Sequence, residues 1–221
     1  MKKSFIGLFC ALMAFHANAQ DKPFMFGFNA SLDWNSYALI DDLGVTDFQG
    51  TLNYSSGITV RKYLSPRLTV SGALNYATRN FREYLDYSKF RFLEPIDPSL
   101  IEGPTYTYKN GFIDIPVTVA YSIVSNDKLE IFPSAGIVNS VLIHEKMERA
   151  GEESPEHRPL KYNRYLIATQ IGFGLLFKQE TFGILIEPQA RVYATQAHNR
   201  GPEQNPFQLG LSASFLWWKQ K

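Results

Sequence analysis

The sequence predicts an all-β chain, an eight-stranded antiparallel up-and-down transmembrane β-barrel, on three observations. Apolar and small polar residues alternate in segment after segment. No stretch beyond Gln20 is a continuous apolar run long enough for a membrane helix, and the connections between the alternating segments are short and long by turns. The first segment shows the pattern most cleanly. In "FMFGFNASLDWNS", Phe24, Phe26, Phe28, Ala30, Leu32 and Trp34 fall on one side of an extended chain, with Met25, Gly27, Asn29, Ser31, Asp33 and Asn35 on the other.

Seven further segments repeat it. The second, "TLNYSSGITVRKYL", sets Leu52, Tyr54, Ile58 and Val60 against Asn53, Ser55, Gly57, Thr59 and Arg61. The third, "LTVSGALNYATR", sets Leu68, Val70, Leu74 and Tyr76 against Thr69, Ser71, Asn75 and Arg79, and the fourth, "GFIDIPVTVAY", sets Ile113, Ile115, Val117, Val119 and Tyr121 against Asp114, Thr118 and Ala120. The fifth, "LEIFPSAGIVNSVLIH", is less regular, because Asn139 shares the face of Ile131, Ile137, Val141 and Ile143. In the sixth, seventh and eighth, "YLIATQIGFGLLFK", "FGILIEPQARVYA" and "FQLGLSASFLWW", the apolar face again opposes Gln, Gly, Ser and Ala, with Glu187 and Arg191 on the polar side of the seventh. Pro116, Pro133 and Pro188 fall inside segments and lack a ladder donor, which predicts bulges there.

Only "SPR", "SNDK" and "QETFG" separate the second from the third, the fourth from the fifth and the sixth from the seventh segments; the other connections are much longer. In an up-and-down barrel alternate connections lie at opposite ends, and a transmembrane barrel keeps its periplasmic turns short and its extracellular loops long. Both ends of the chain then fall on the periplasmic side.

At 221 residues the chain has room for one such domain, and a formal net charge of +1 with 19% charged residues argues against binding nucleic acid through a broad basic surface. Mean hydropathy is only −0.18, as expected where every second residue alone meets lipid and all backbone groups pair between strands. At the start, "MKKSFIGLFCALMAFHANAQ" has two lysines, an apolar run from Phe5 to about Phe15 and the small-x-small pattern Ala17-Asn18-Ala19. This is the layout of a cleaved secretory signal peptide, 1–19, ahead of a barrel domain, 20–221. The only cysteine, Cys10, lies in that leader, so no thiol chemistry is expected of the exported chain.

Alternation does not by itself say which face is inside; a soluble barrel around an oily cavity has the same period. A soluble outer face carries many Lys and Glu in mid-strand, whereas here the polar face is mostly Gly, Ser, Thr, Asn, Gln and Ala, which fit a narrow bore. Rings gather toward segment ends, at Phe24, Tyr121, Tyr165, Phe177, Phe182, Phe207 and Trp217, as interfacial girdles do. The expectation is therefore lipid outside, a polar lumen inside, and residence in a Gram-negative outer membrane.

The segment "GFIDIPVTVAYSI" and, one short turn later, "IFPSAGIVNSVL" resemble the PorT-like outer-membrane β-barrel family, in which a strand of the form aromatic-hydrophobic-acid-Ile-Pro precedes a second strand bearing Pro and Gly. The resemblance implies an eight-stranded outer-membrane barrel in a group where many members have no assigned activity and one branch is linked to protein secretion. It implies no catalytic residues.

Chemical motifs are sparse. Ser140 and His144 fall on one side of the fifth segment with Glu145 beside them, the residue types of an outer-membrane lipid hydrolase of the lipid A deacylase kind, but there is no G-x-S-x-G elbow. His16, His144, His157 and His198 have no ligand spacing, and neither "DD" nor "GEESPE" makes a calcium loop, so no metal or cofactor is expected. The polar face gathers a charge network instead: Asp33, Arg61, Arg79, Asp114, Glu187 and Arg191 all point to the lumen, where paired charges plug the bore or, on a third reading, line a small-solute channel. The long second loop, "YLDYSKFRFLEPIDPSLIEGPTYTYKNG", is rich in rings suited to recognition or to strands running on past the membrane. The expected function is a non-enzymatic outer-membrane barrel in a structural or interaction role. Its partners are membrane lipid and a protein met at the extracellular loops or the periplasmic face.

Overall fold

The computed structural model describes residues 24–37, 46–86, 102–149, 152–153, 162–196 and 206–218. The expected leader, His157, His198, the "DD" stretch, all of "GEESPE" but Glu152–Glu153, and much of the second long loop lie outside these residues. Twelve strands follow in chain order: β1 (Phe24–Tyr37), β2 (Thr46–Gly50), β3 (Leu52–Tyr63), β4 (Leu68–Thr78), β5 (Phe81–Asp86), β6 (Glu102–Tyr121), β7 (Val124–Ser125), β8 (Leu129–Arg149), β9 (Glu152–Glu153), β10 (Tyr165–Lys178), β11 (Phe182–Tyr193) and β12 (Pro206–Trp218).

Hydrogen-bonded neighbours run β1-β3-β4-β6-β8-β10-β11-β12, and β12 pairs with β1, so eight strands close on themselves, every pair antiparallel. Closure leaves no edge strand within the membrane. The remaining short strands extend the ends. β2 and β5 pair with each other and β5 continues onto β6, while β9 pairs with the far end of β8. At the opposite, short-turn end β7 pairs with β8.

Exposure follows the sequence alternation and is inverted relative to a water-soluble protein. Phe28, Leu32 and Ile171 are 62%, 59% and 63% exposed, while Asp33, Ser55 and Arg191 are 1%, 2% and 3% exposed. A belt of apolar side chains around the whole barrel would aggregate in water; in a bilayer it is the face that lipid covers. Rings mark its rims: Phe24, Tyr121, Phe177 and Phe182 at the short-turn end, Trp34, Tyr54, Tyr76 and Tyr165 at the other. Phe26 and Trp217 meet edge to face at 4.0 Å, and Phe182 stacks on Phe215.

Two local expectations are corrected. Pro116 and Pro188 cause no register shift, and Pro133 causes none toward β10. Pro116 pairs opposite Val138, Pro133 opposite Phe173 and Pro188 opposite Leu211, and the registers on either side of them are continuous. Pro116 and Pro188 each interrupt only one ladder, toward β4 and β10 respectively, and Pro133 sits where β8 passes from β6 to β7. A missing donor thus costs one rung, not a residue of register. Shifts fall between Tyr84 and Asp86, between Gly111 and Phe112, and beside Pro133, where three residues between Ala120 and Val124 stand against two of β8. The second shift inserts Ile143 as an extra residue of β8, since Gly111 opposes His144 and Phe112 opposes Leu142. Parity therefore flips after Ile143, and His144 points outward, exposed, while Ser140 is fully buried inside. The two residues do not share a face.

Inside, the filling is polar in the middle and apolar toward both ends. Met25, Tyr63, Phe132, Leu176, Leu185 and Leu216 form one layer at the short-turn end. Phe81, Tyr108, Phe112, Tyr162, Leu166 and Tyr193 form another at the long-loop end, with Phe81 stacked on Tyr108 at 4.4 Å. Glycine makes room for the larger lumenal groups: a Cβ at Gly174 would strike the Phe132 ring, and one at Gly210 would strike the Asp33 carboxylate.

Candidate functional site

All six lumenal charges expected from the sequence point inward, and they separate into two ionic clusters and two hydrogen-bonded carboxylates. The upper cluster centres on Asp114 of β6. Arg79, in the turn after β4, donates from Nη2 to both carboxylate oxygens at 2.8 and 2.7 Å and to Ser140 Oγ at 3.1 Å, and from Nε to the Tyr193 hydroxyl at 2.7 Å. Arg191 of β11 approaches Asp114 Oδ2 at 3.4 Å and donates to Gln170 Oε1 at 2.9 Å. The Arg79 guanidinium also lies 4.4 Å from the Phe112 ring centre, so the apolar layer and the charge cluster share a boundary.

The lower cluster centres on Glu130, a residue the sequence reading missed. Arg61 Nη2 donates to Glu130 Oε1 at 3.0 Å, Ser122 Oγ donates to the same oxygen at 2.6 Å, the Tyr63 hydroxyl donates to Oε2, and Lys178 Nζ lies 3.0 Å from Oε2. The Arg61 guanidinium stacks over Phe132 at 4.0 Å. Glu130 shares the parity of Ser140, so the alternation of its own strand carried the signal. It was obscured because Asn139 made that strand's faces look mixed.

Asp33 and Glu187 join neither cluster. Asp33 accepts from Ser31 Oγ at 2.6 Å and from Gln189 Nε2 at 3.4 Å, while Glu187 accepts from Ser134. The electrostatics still close. Arg79 and Arg191 against Asp114 leave one positive charge, Arg61 and Lys178 against Glu130 leave another, and Asp33 with Glu187 cancels both. Between the clusters lies a polar cavity of about 60 Å³ lined by Asn29, Ser55, Asn75, Ser134, Glu187 and Arg191 among others. It has room for a few water molecules, which suits side-chain atoms such as Asn29 Oδ1, Asn75 Oδ1 and Arg61 Nε that have no protein partner.

Chemically this arrangement holds charges in place. Ser140 accepts a hydrogen bond from Arg79, is wholly enclosed, and faces away from lipid, while His144 is on the outer surface. Among the described residues no three His, Cys, Asp or Glu side chains gather as a metal ion requires.

Beyond the membrane belt a third polar group stands at the long-loop end. The Tyr108 hydroxyl donates to Glu83 Oε2 at 2.7 Å beneath the stacked Phe81 ring. Burial pushes the Glu83 carboxyl above the usual carboxylate range, and the Tyr108 hydrogen bond draws it partly back.

Comparison with known proteins agrees with this architecture. A family model described as the outer membrane protein beta-barrel domain matches residues 18–195. The fold is similar to OprG, an outer-membrane protein of Pseudomonas aeruginosa, with 12% identity, coverage of 90% of this chain and 97% of that one, and a TM-score of 0.52. It is also similar to the outer-membrane protease OmpT of Escherichia coli, with 8% identity, coverage of 91% and 99%, and a TM-score of 0.50. At these identities the likeness is one of fold. No curated protein matches the chain in sequence.

Proposed function

The chain belongs to the outer membrane protein beta-barrel domain family, and from that premise we propose that it is a non-enzymatic, plugged barrel whose working surface is the strand and loop structure at its long-loop end. The observation that carries this reading is the lumen. Two ionic clusters tie β4, β6 and β11 at one level and β3, β8 and β10 at another, and an apolar layer caps each level. A bore filled in this way supports a scaffold better than a pathway. At the long-loop end β6 and β8 run 20 and 21 residues, and β5 and the short β2 and β9 widen them into a platform. Rigid strands that carry loops outward are a common setting for recognition.

Within the family, the segments "GFIDIPVTVAYSI" and "IFPSAGIVNSVL" favour the PorT-like branch, and with it a role in protein secretion or cell-envelope assembly. A protein partner would then be met at the platform or at the periplasmic turns around Arg67, Asp127 and Glu180. Photo-crosslinking side chains placed one at a time at Thr105 and Lys109, and at Arg67 and Asp127, distinguish these faces in living cells. Discrete adducts from one pair support an interaction role and name the face. Absence of adducts from all four, together with a lipid product lost in Ser140→Ala, would overturn it in favour of a hydrolase.

A further inference from the structure

Asn139 interrupts the apolar outer face of β8. It stands on the outward parity of that strand, between Ile137 and Val141, which are 50% and 42% exposed, and opposite Ile115 of β6 and Ile167 of β10. Val141 and Ile143 follow it toward the long-loop end, so its amide lies within the lipid belt. Tyr165, one of the rings at the rim, opposes Val141, one outward step above Asn139. Two residues of a strand tilted as in other barrels place the amide about 5 Å below that step, and the polar layer on each side of the hydrocarbon is only about 5–7 Å thick. Asn139 therefore stands where that layer meets the hydrocarbon, the level at which carbonyl groups join acyl chains to a lipid headgroup.

Half of this amide is satisfied within the protein. The Tyr165 hydroxyl donates to Asn139 Oδ1 at 2.6 Å, which holds the side chain in place. Nδ2, with its two N–H groups, has no acceptor among the described residues. An amide donor that faces hydrocarbon without an acceptor is costly. Thr169, an outward hydroxyl of β10 one step nearer the middle of the belt, bonds back to the Val192 carbonyl oxygen at 3.4 Å and so meets its own need. Asn139 makes no such bond, and its donor calls for an acceptor from outside the chain.

We infer that Asn139 and Tyr165 form a lipid subsite in which Asn139 Nδ2 donates to a fatty-acyl carbonyl in the leaflet at the long-loop end. The acyl tails themselves offer no acceptor, and the charged headgroup oxygens lie farther out. A carbonyl at the head of an acyl chain meets the donor at its own depth, while the chain runs down over Ile115, Ile137 and Ile167. Tyr165 is the positioning group, because its hydroxyl engages the acceptor side of the Asn139 amide and leaves the donor side to the lipid. The role is separate from the proposed interaction function and stands if that reading fails.

The test uses the folded chain, carrying isotope-labelled nitrogen in its asparagine side chains, in bilayers of phosphatidylcholine with isotope-labelled ester carbonyls. Solid-state NMR should show a dipolar contact between an asparagine Nδ2 and the lipid carbonyl that is lost in Asn139→Leu and weakened in Tyr165→Phe, while Thr169→Val keeps it. The folded-to-unfolded ratio should favour the ester lipid over its diether analogue, which has no carbonyl, more for wild type than for Asn139→Leu, by about fivefold for a hydrogen bond of ordinary strength. Labelled lipid A added to the diether bilayer separates the sources of the carbonyl. Recovery of the contact shows that glycolipid fills the subsite, and no recovery confines it to phospholipid. A contact missing from wild type or unchanged in Asn139→Leu, or an equal preference for ester lipid in both, would overturn the inference. So would an Asn139-dependent dimer in native mass spectrometry that forms without the lipid contact.

Discussion

The two ionic clusters in the lumen solve the same problem with different materials. In the upper one, a single aspartate is held by two arginines, and Arg79, Asp114 and Arg191 are 2%, 0% and 3% exposed. Every partner is rigid, planar or short, and Arg79 lies against the Phe112 and Tyr193 rings. In the lower one, a glutamate is held by one stacked arginine, two hydroxyls and a lysine whose side chain is 16% exposed at the rim. The upper cluster has no charged member at the rim of the barrel. The lower one has Lys178, a flexible cation that can swing outward. The comparison teaches that burial alone does not set the cost of losing an acid; what matters is whether the stranded cations can be rehydrated.

The largest effect should follow Asp114→Asn. It strands two enclosed guanidinium groups, and breaking a buried pair of this kind costs about 3–5 kcal/mol, to be read from urea-driven unfolding in phospholipid bilayers. Glu130→Gln should cost less, roughly 2–3 kcal/mol, because Lys178 can turn to solvent and Arg61 keeps its Phe132 ring. Lys178→Met alone should cost about 1 kcal/mol or less, since Glu130 keeps Arg61, Ser122 and Tyr63 as partners and an ion pair at the rim contributes little. If Glu130→Gln proves as damaging as Asp114→Asn, rehydration of Lys178 is not what separates the clusters.

Below these comes Glu187→Gln. Among the described residues Glu187 has no cationic partner and accepts only from Ser134, and an amide oxygen can still accept, so the expected loss is about 1 kcal/mol. A loss as large as that of Asp114→Asn would mean that its charge, and not its hydrogen bond, is what the lumen needs.

The smallest effect is one of pH and lies outside the membrane. Glu83 is an acid whose carboxyl is raised by burial when the platform is formed. The closed platform therefore holds a proton that the opened one releases. Stability of this region should be independent of pH below the ordinary glutamate range, fall as pH rises from that range through the raised value, and level off above it. Amide exchange in β5 and β6, corrected for intrinsic rates, should show this slope in the wild type and not in Glu83→Gln.

The sequence disclosed the faces of the barrel almost completely, because a period of two sorts each segment into two sets and only the small polar set fits a narrow bore. Ile171 and Gln170 are neighbours in sequence and end up 63% and 5% exposed. What it disclosed poorly depended on where strands meet in register. The extra residue at Ile143 that turns His144 outward is fixed by pairing between β6 and β8, and no local residue announces it. Pro116 and Pro188 announced bulges and gave none, because a donor facing one neighbour can be lost while the opposite ladder holds register. The partners of the charges were equally hidden. Arg61 and Glu130 are 69 residues apart, and they meet only because both strands present them at the same height of a narrow bore.

The central claim is that this lumen is a plug, and single-barrel recordings in planar bilayers test it most directly. The unmodified barrel should show no large steady conductance, and Asp114→Asn should bring noisy, transient openings as the freed arginines move. A stable open channel in the unmodified protein, selective for ions of one sign, would contradict the account and make the same six charges the lining of a pathway.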